Sequence, residues 1–269
     1  MWKWETEFTP KGAVVIVHDM MEHHEYYLKL ISDLNKEGYH CLMGDLPGAG
    51  QTTRINKGHV KSFNQYTDRI KEWIDIVDAY EVPTFVIGQG LGALIVLELM
   101  RKETTNIDGA VLLNPLLVFK QSFMNRKNLL KSSIRMTSDE SRFKLGFDEH
   151  SFTTDKDYLE RYQSDDLVVR EVSYSWYQSV LLEMKAMREN IDEVRDIPVL
   201  VMYSEENDII DVRQSMKLVN QVKTSYFHSV KLFDVEHSIF QREDTETPLY
   251  YLMRFLDDQL FEIGFNIKR

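Results

Sequence analysis

The amino-acid sequence predicts an α/β protein with a mostly parallel central sheet that is covered by helices on both faces. Short runs of β-branched and aromatic residues alternate with longer amphipathic segments, as in repeated strand–helix units. The strand runs are continuously apolar, which is typical of parallel strands buried on both faces. With 269 residues, 43% of them hydrophobic, the chain can form one large domain with an insertion.

The predicted elements follow one another in a regular order. An edge strand around Trp2 and Trp4 comes first. The other predicted strands are 13–17, 39–43, 84–87, 109–114, 198–203 and 230–233, and the predicted helices are 26–36, 63–80, 91–100, 211–222 and 248–260. The alternation stops between 115 and 195, where the pattern is helical, polar and low in glycine and proline. We therefore predict a helical cap (lid) at 115–195, inserted into a core formed by 1–114 and 196–269.

The turn Gly88-Gln89-Gly90-Leu91-Gly92 lies between a predicted buried strand and a predicted buried helix. A dinucleotide-binding turn has a different final spacing and lies near the N-terminus, and a P-loop needs Gly-Lys-Ser/Thr, which is absent. Strand, sharp turn and helix are also the context of G-x-S-x-G, a strained turn that exposes a catalytic serine, although Gly90 stands at the serine position. From this stretch alone, the interpretation that the glycines only permit tight packing ranks equally.

Composition excludes several function classes. The formal net charge of -11 excludes a basic footprint for nucleic acid. The single cysteine, Cys41, lies in an apolar run, and we expect it to be a buried strand residue. No apolar run is long enough to span a bilayer and the first residues lack a signal-peptide core, so we expect a soluble, cytoplasmic protein.

A basic amphipathic segment at 119–136 lies within the predicted cap. Such a segment can contact an anionic membrane surface. A cap helix that packs its apolar side on the core and leaves its basic side in solvent explains the same pattern, and we favour it. Peripheral membrane contact is therefore considered but not expected.

Five features in this order resemble the monoacylglycerol lipase and lysophospholipase group of α/β hydrolases, of the serine aminopeptidase S33 type, and most closely its bacterial lysophospholipase-like branch. They are His18 with Glu22, His24 and Tyr27; Asp45-Leu46-Pro47-Gly48-Ala49-Gly50; Gly58-His59-Val60 with Phe63, Tyr66 and Asp68; residues 88–92; and His237. The resemblance covers essentially the whole chain. It implies an α/β-hydrolase fold with a cap and a family activity of carboxylic-ester hydrolysis without a cofactor.

The resemblance also implies a catalytic triad that this sequence does not keep. Similar enzymes have serine where Gly90 stands, aspartate where Asn207 stands, and histidine at His237, which alone is retained. The implied oxyanion-hole donors are the backbone N–H groups of Met20 and Leu91. Asp19 replaces a glycine beside them, and its carboxylate would oppose a developing negative charge if it pointed inward. Three separate losses thus indicate natural degeneration.

Replacement chemistry is possible in three forms. Glu206 or Asp208, on either side of Asn207, could orient His237, and His237 could activate water directly. His18, His23 and His24 with Glu22 suggest a metal cluster, but they share one loop without a matching ligand set elsewhere, so we expect no metal. His18, Asp19, Glu22 and Gln89 are instead expected to line the pocket and its loops.

The sequence therefore predicts a lysophospholipase-like or monoacylglycerol-lipase-like pseudoenzyme that has lost serine-hydrolase activity. It would bind a lipid-like or other small acyl ligand, or a protein partner, in the pocket between cap and sheet. The alternative is an active carboxylic-ester hydrolase of the lysophospholipase type with an unorthodox mechanism. A third hypothesis is a structural subunit whose pocket has collapsed.

Overall fold

A seven-stranded, mostly parallel sheet forms the centre of the protein in a computed structural model that describes residues 1–102, 105–120 and 139–265. Its strands are β1 Trp2–Trp4, β2 Gly12–Val17, β3 Tyr39–Met43, β4 Thr84–Gln89, β5 Gly109–Leu113, β8 Val199–Ser204 and β9 Phe227–Leu232. The sheet order is β1-β3-β2-β4-β5-β8-β9. Only β1 runs antiparallel to its neighbour, β3. The predicted fold class is confirmed.

Helices lie on both faces of this sheet. The α-helices of the described residues are α1 Leu28–Lys36, α2 Asn64–Val77, α3 Leu91–Lys102, α4 Lys156–Ser164, α5 Tyr174–Glu189, α6 Val212–Val219 and α7 Glu246–Glu262. Successive strand residues point to opposite faces, so Val15 belongs to the core beneath α2 and α3, whereas Val14 belongs to the core beneath α1 and α7. Within the described residues, no helix is long and apolar enough to cross a membrane.

Most boundaries differ by one to three residues from those that the sequence predicts, and three of the differences are informative. The predicted helix 26–36 begins with a 3₁₀ turn, His24–Tyr27, and the predicted helix 63–80 becomes a 3₁₀ turn after Val77. The strand predicted at 230–233 is longer, Phe227–Leu232, and lies at the sheet edge. Its exposed residues His228 and Ser229 are polar, which is why hydrophobicity alone did not reveal its beginning.

The chain between β5 and β8 contains α4, α5 and a short antiparallel ribbon of β6 Arg142–Phe143 and β7 Val172–Ser173. Most of the predicted basic segment, residues 121–136, lies outside the described residues. Helix α5 packs against the core, where the indole N–H of Trp176 donates to the Tyr66 hydroxyl at 2.8 Å.

Two buried carboxyl groups, Glu98 on α3 and Glu183 on α5, form a hydrogen-bonded pair. Burial raises the pKa of Glu183 to about 7, and the hydrogen bond and charge of Glu98 add to the effect. Despite its burial, Glu98 has a lowered pKa because the side chains of Arg101 and Lys102 bond to it. Below about pH 7, Glu183 therefore holds a proton that it donates to ionised Glu98.

This pair predicts that the protein loses stability as the pH rises from about 4.5 to about 7. A free glutamate has a pKa near 4.5, so between that value and about 7 the folded state holds a proton that the unfolded state has lost. Glu183→Gln, which keeps a donor for Glu98, should raise the free energy of unfolding at pH 8 by roughly 1 to 3 kcal/mol. Denaturant unfolding at pH 5 and pH 8 measures this change.

The control is Glu189→Gln, on the exposed side of the same helix. It should leave the pH dependence of stability unchanged. If Glu183→Gln were no more stabilising at pH 8 than at pH 5, the proposed proton between the two carboxyl groups would be absent.

Candidate active site

A sharp turn at Gly90 connects β4 to α3. Gly90 has a φ of +53°, and a Cβ atom added to Gly88 would lie 2.5 Å from the carbonyl oxygen of Gly92. A Cβ on Gly92 itself would lie 2.2 Å from the carbonyl oxygen of Val17. Both interpretations of these glycines therefore apply. Gly90 forms the sharp, left-handed turn, and Gly88 and Gly92 permit tight packing of the backbone.

The Asp19 carboxylate points into this turn and is completely buried. Its Oδ1 accepts hydrogen bonds from the backbone N–H groups of Met20 at 2.7 Å and Leu91 at 2.6 Å. Its Oδ2 lies 2.7 Å from Nε2 of His237. A Cβ on Gly90 would fall 2.2 Å from Asp19 Oδ1. The carboxylate therefore occupies the space that a side chain at position 90 would need.

Asn207 fixes the other side of the His237 ring. Its Oδ1 accepts the N–H groups of Ile209 and Ile210 at 2.9 and 3.0 Å. Its Nδ2 therefore faces His237, 3.0 Å from Nδ1, and also donates to the Ser204 hydroxyl. An amide N–H needs an acceptor, so Nδ1 carries no proton and the ring proton lies on Nε2, which donates to Asp19.

The comparisons with known proteins agree with this architecture. The sequence model of the family described as serine aminopeptidase, S33, matches residues 9–244. The chain belongs to this family. Phospholipase YtpA of Bacillus subtilis is 28% identical over 261 residues, which cover 97% of this chain and 100% of that protein. Monoglyceride lipase of Saccharomyces cerevisiae is 24% identical over 251 residues, with 87% and 79% covered.

Solved structures of the same kind share the fold of this S33-family chain. A soluble variant of monoglyceride lipase from Saccharomyces cerevisiae superposes with a TM-score of 0.86 at 21% identity, covering 96% of this chain and 90% of that one. Monoacylglycerol lipase of Paleococcus ferrophilus gives 0.81 at 24% identity, with 97% of each chain covered. The predicted resemblance to lysophospholipase-like and monoglyceride-lipase-like α/β hydrolases is confirmed.

Glu22 lies behind Asp19 in this S33-family site. Its carboxyl group accepts hydrogen bonds from the hydroxyls of Tyr27 and Tyr162, both at 2.6 Å, and from the Ser238 hydroxyl at 3.2 Å. Burial and the charge of Asp19 raise the pKa of Glu22 to about 7, despite these donors. Since Tyr162 belongs to α4, Glu22 connects the segment between β5 and β8 to the loop after β2.

Two other predicted pocket residues have supporting contacts. His18 donates from Nδ1 to the Asp19 carbonyl at 2.6 Å and accepts the Leu46 N–H at Nε2 at 2.8 Å, and burial lowers its pKa. Gln89 donates to the His237 carbonyl at 2.7 Å. Asn114, which the sequence analysis missed, donates to the same carbonyl at 2.8 Å. The sequence indicates such a role for Asn114 only through its position, as a polar residue between a buried strand and Pro115.

The possible replacements for the triad acid are not formed. Glu206 and Asp208 are exposed, and Asp208 forms an ion pair with Lys120 at 2.7 Å. Asn207 makes the contact to His237 instead. The hypothesis that a shifted loop restores an acid to His237 is therefore wrong.

Two cavities of very different size lie near this centre. The inner one, lined by Met20, Leu91 and Trp176 among others, has a volume of about 20 Å³. The outer one is an open groove of about 730 Å³ beside Asn207. Its lining is mostly charged and includes Glu205, Asp211 and Glu236. The described residues thus leave little space at the turn and much more outside it.

The position of Asp19 predicts that side chains at 90 are destabilising. Gly90→Ala should lower the free energy of unfolding by about 1 kcal/mol or more, because alanine is strained at positive φ and its Cβ meets the carboxylate. The control is Gly264→Ala, since Gly264 has a φ of +72° but no atom within 4 Å of an added Cβ. Gly264→Ala should therefore lower the free energy of unfolding by less than Gly90→Ala does. Denaturant unfolding measures both.

The clash can be separated from the backbone strain by a double-mutant cycle. In an Asp19→Gly background, the cost of Gly90→Ala should fall by roughly 0.5 to 3 kcal/mol. Additive effects of the two substitutions would mean that Asp19 does not occupy the space above Gly90.

Proposed function

We propose that this chain is a non-catalytic member of its hydrolase family whose catalytic centre is closed by its own Asp19. One observation carries the proposal: the Asp19 carboxylate bonds at once to the N–H groups of Met20 and Leu91 and to Nε2 of His237. These are the positions to which the family resemblance assigns the oxyanion hole and the catalytic base. Each step of serine-hydrolase chemistry then meets a specific obstacle.

Nucleophilic attack has no hydroxyl group at the turn. Gly90 lacks a side chain, and Asp19 fills the volume above it. The hydroxyls of Ser204 and Ser238 are hydrogen-bonded to Asn114 and Glu22, respectively.

Both ring nitrogens of His237 are engaged by Asp19 and Asn207. No serine in the described part of the chain thus forms the hydrogen bond to His237 that activates a nucleophile.

Base catalysis fails because the proton is on the wrong nitrogen of His237. In a triad, the acid holds the proton on Nδ1 and leaves the lone pair of Nε2 free to accept a proton. Here Asn207 presents an N–H to Nδ1, and Nε2 carries the proton that Asp19 accepts. His237 therefore cannot accept a proton at Nε2 without breaking this arrangement, which also opposes direct activation of water.

Oxyanion stabilisation is opposed by the same carboxylate. An oxyanion hole works because fixed donors face the charge that develops in the transition state. In this site the two N–H groups already face a full negative charge. A second anion there would lose its donors and meet electrostatic repulsion in a buried setting.

A role in binding is consistent with the space that remains. A cavity of about 20 Å³ holds about one water molecule, since a water requires roughly 10–15 Å³. The inner cavity therefore does not fit an acyl chain, whereas the outer groove of about 730 Å³ has the size of a small-molecule site. We infer that a polar ligand or a polar segment of a protein partner binds in this groove, rather than an acyl chain above Gly90.

Activity measurements test the loss of catalysis. The wild-type protein and Gly90→Ser alone should neither react with a fluorophosphonate probe nor hydrolyse p-nitrophenyl butyrate, monoacylglycerol or lysophospholipid above background. The triple variant Asp19→Gly, Gly90→Ser, Asn207→Asp removes all three obstacles. It should gain probe labelling at residue 90 and a rate at least ~10³ times higher, given that a working triad supplies about 10⁶-fold.

The control for hydrolysis is His237→Gln in the triple variant, which should abolish the gained activity. Stoichiometric labelling of one serine in the wild-type protein would contradict the proposal. So would wild-type ester hydrolysis that His237→Gln removes, because this result would establish the alternative of an active hydrolase with an unorthodox mechanism.

A further inference from the structure

Three ligand-type side chains come together outside the Asp19–His237 centre. His23, His24 and Asp45 each place one potential metal-ligand atom within 4.8 Å of the others, and all three side chains are buried. The histidines follow β2 and Asp45 follows β3, which are parallel neighbours in the sheet. The carboxyl ends of parallel strands meet at one edge, so the sheet itself assembles the cluster.

His23 has an unsatisfied ring nitrogen in this cluster. Its side chain is fully buried, and its Nε2 lies 2.6 Å from Oδ2 of Asp165. Its Nδ1 has no hydrogen-bond partner among residues 1–102, 105–120 and 139–265. A buried polar atom without a partner is costly, so the position needs an explanation. A carboxylate on one nitrogen of a histidine is also how proteins orient the other nitrogen toward a metal.

His24 and Asp45 are already held in contact. His24 Nδ1 lies 2.8 Å from Asp45 Oδ1, which also accepts the backbone N–H of His24 at 2.9 Å. The other carboxylate oxygen accepts the N–H of Gln51 at 2.7 Å. The ring of Trp2 stacks on His24 with the ring centroids 3.6 Å apart. The carboxylate is therefore fixed, and an indole covers one face of the cluster.

We propose that His23, His24 and Asp45 form a site for a divalent zinc ion. Nδ1 of His23 is one ligand, Nδ1 of His24 and a carboxylate oxygen of Asp45 are the next two, and water fills the fourth position. Asp165 is the positioning residue that holds the His23 ring. For His24 to bind zinc through Nδ1, its ring proton must be on Nε2.

The choice of zinc follows from the donors and their charges. Two imidazoles with one carboxylate suit Zn²⁺, whereas Mg²⁺ and Ca²⁺ prefer sites made of oxygen. The carboxylates of Asp45 and Asp165 supply negative charge that a divalent cation would balance. Ligand atoms in a tetrahedral zinc site lie about 3.3 Å apart, given bonds of about 2.0 Å. Closing the cluster from its 4.8 Å span therefore needs side-chain shifts of roughly 1 Å.

The fold supplies a ligand that the sequence does not reveal. In the sequence, the histidines group with Glu22 on one loop, a pattern from which no metal site is expected. Glu22 instead bonds to three hydroxyl groups, and Asp45 from the next strand takes its place beside His24. The proposed site shares no residue with the Asp19–His237 centre, so it does not depend on the proposed loss of hydrolysis.

The test is metal binding by the full chain after treatment with a chelator. Cobalt(II) is the probe, because a tetrahedral site with nitrogen ligands gives visible absorption bands, and Zn²⁺ should remove them. One equivalent should saturate the wild-type signal, and bound Co²⁺ should quench the emission of Trp2, measured as the difference from Trp2→Phe. Zinc affinity is measured by competition with a chromophoric chelator.

Variants locate the ligands. His23→Gln and His24→Gln should each lower zinc affinity at least about tenfold, and Asp165→Asn, which acts through His23, by ~10–100-fold. The control His228→Gln changes an exposed histidine on β9 and should leave affinity unchanged. Circular dichroism establishes that each variant is folded before it is compared.

Two results would overturn the proposal. One is a wild-type protein that shows no stoichiometric tetrahedral Co²⁺ spectrum, a result that does not depend on any variant. The other is binding that is as tight in folded His23→Gln and His24→Gln as in His228→Gln. Either result would mean that His23 and His24 only pack the loop.

Discussion

The buried contact between Asp19 and His237 is the interaction on which the rest of the site depends. A fully buried carboxylate is tolerated only when donors satisfy it, and Asp19 has three: two backbone N–H groups and the imidazole. The family resemblance assigns these three donors to the oxyanion hole and the catalytic base. On this assignment, the protein satisfies internally the donors that a substrate would use.

The three departures that the family resemblance implies, at Asp19, Gly90 and Asn207, are physically coupled, although the sequence suggested three separate losses. With Asp19 as an acceptor, His237 must carry its proton on Nε2, so its Nδ1 needs a donor. Asn207 supplies that donor, whereas an ionised aspartate would place a negative charge against the lone pair of Nδ1. A side chain at Gly90 would collide with the carboxylate. Asp19, Gly90 and Asn207 are therefore mutually compatible. Each of them would be less favourable if the other two positions carried the residues that the family resemblance implies.

The fold was predictable from the sequence because its signals are local. Continuous apolar runs mark the parallel strands, and residues 88–92 mark the turn between β4 and α3. The direction of the Asp19 side chain was not predictable, since it depends on His237, which lies 218 positions away. The same holds for Asp45 beside His24, which the neighbouring strands β3 and β2 bring together. It also holds for Asn114, whose contact with His237 joins positions 123 residues apart. Sequence reasoning therefore found the elements and most site positions but not their hydrogen bonds.

Among the contacts of the described residues that join the core to the segment between β5 and β8, two involve buried carboxyl groups. Tyr162 on α4 donates to Glu22, and Glu183 on α5 pairs with Glu98 on the helix that follows the turn. Each contact places a carboxyl group with a raised pKa between this segment and the core. The closed centre and the segment above it are thus connected through buried, protonation-sensitive contacts.

The tautomer of His237 tests the central claim most directly. Two-bond proton–nitrogen correlation spectra of the ¹⁵N-labelled protein, with His237→Gln used to assign the signals, show which ring nitrogen carries the proton. The hydrogen bonds from Asn207 and to Asp19 predict a neutral ring with its proton on Nε2. A proton on Nδ1 with a free lone pair on Nε2, the arrangement of a catalytic triad, would contradict the account.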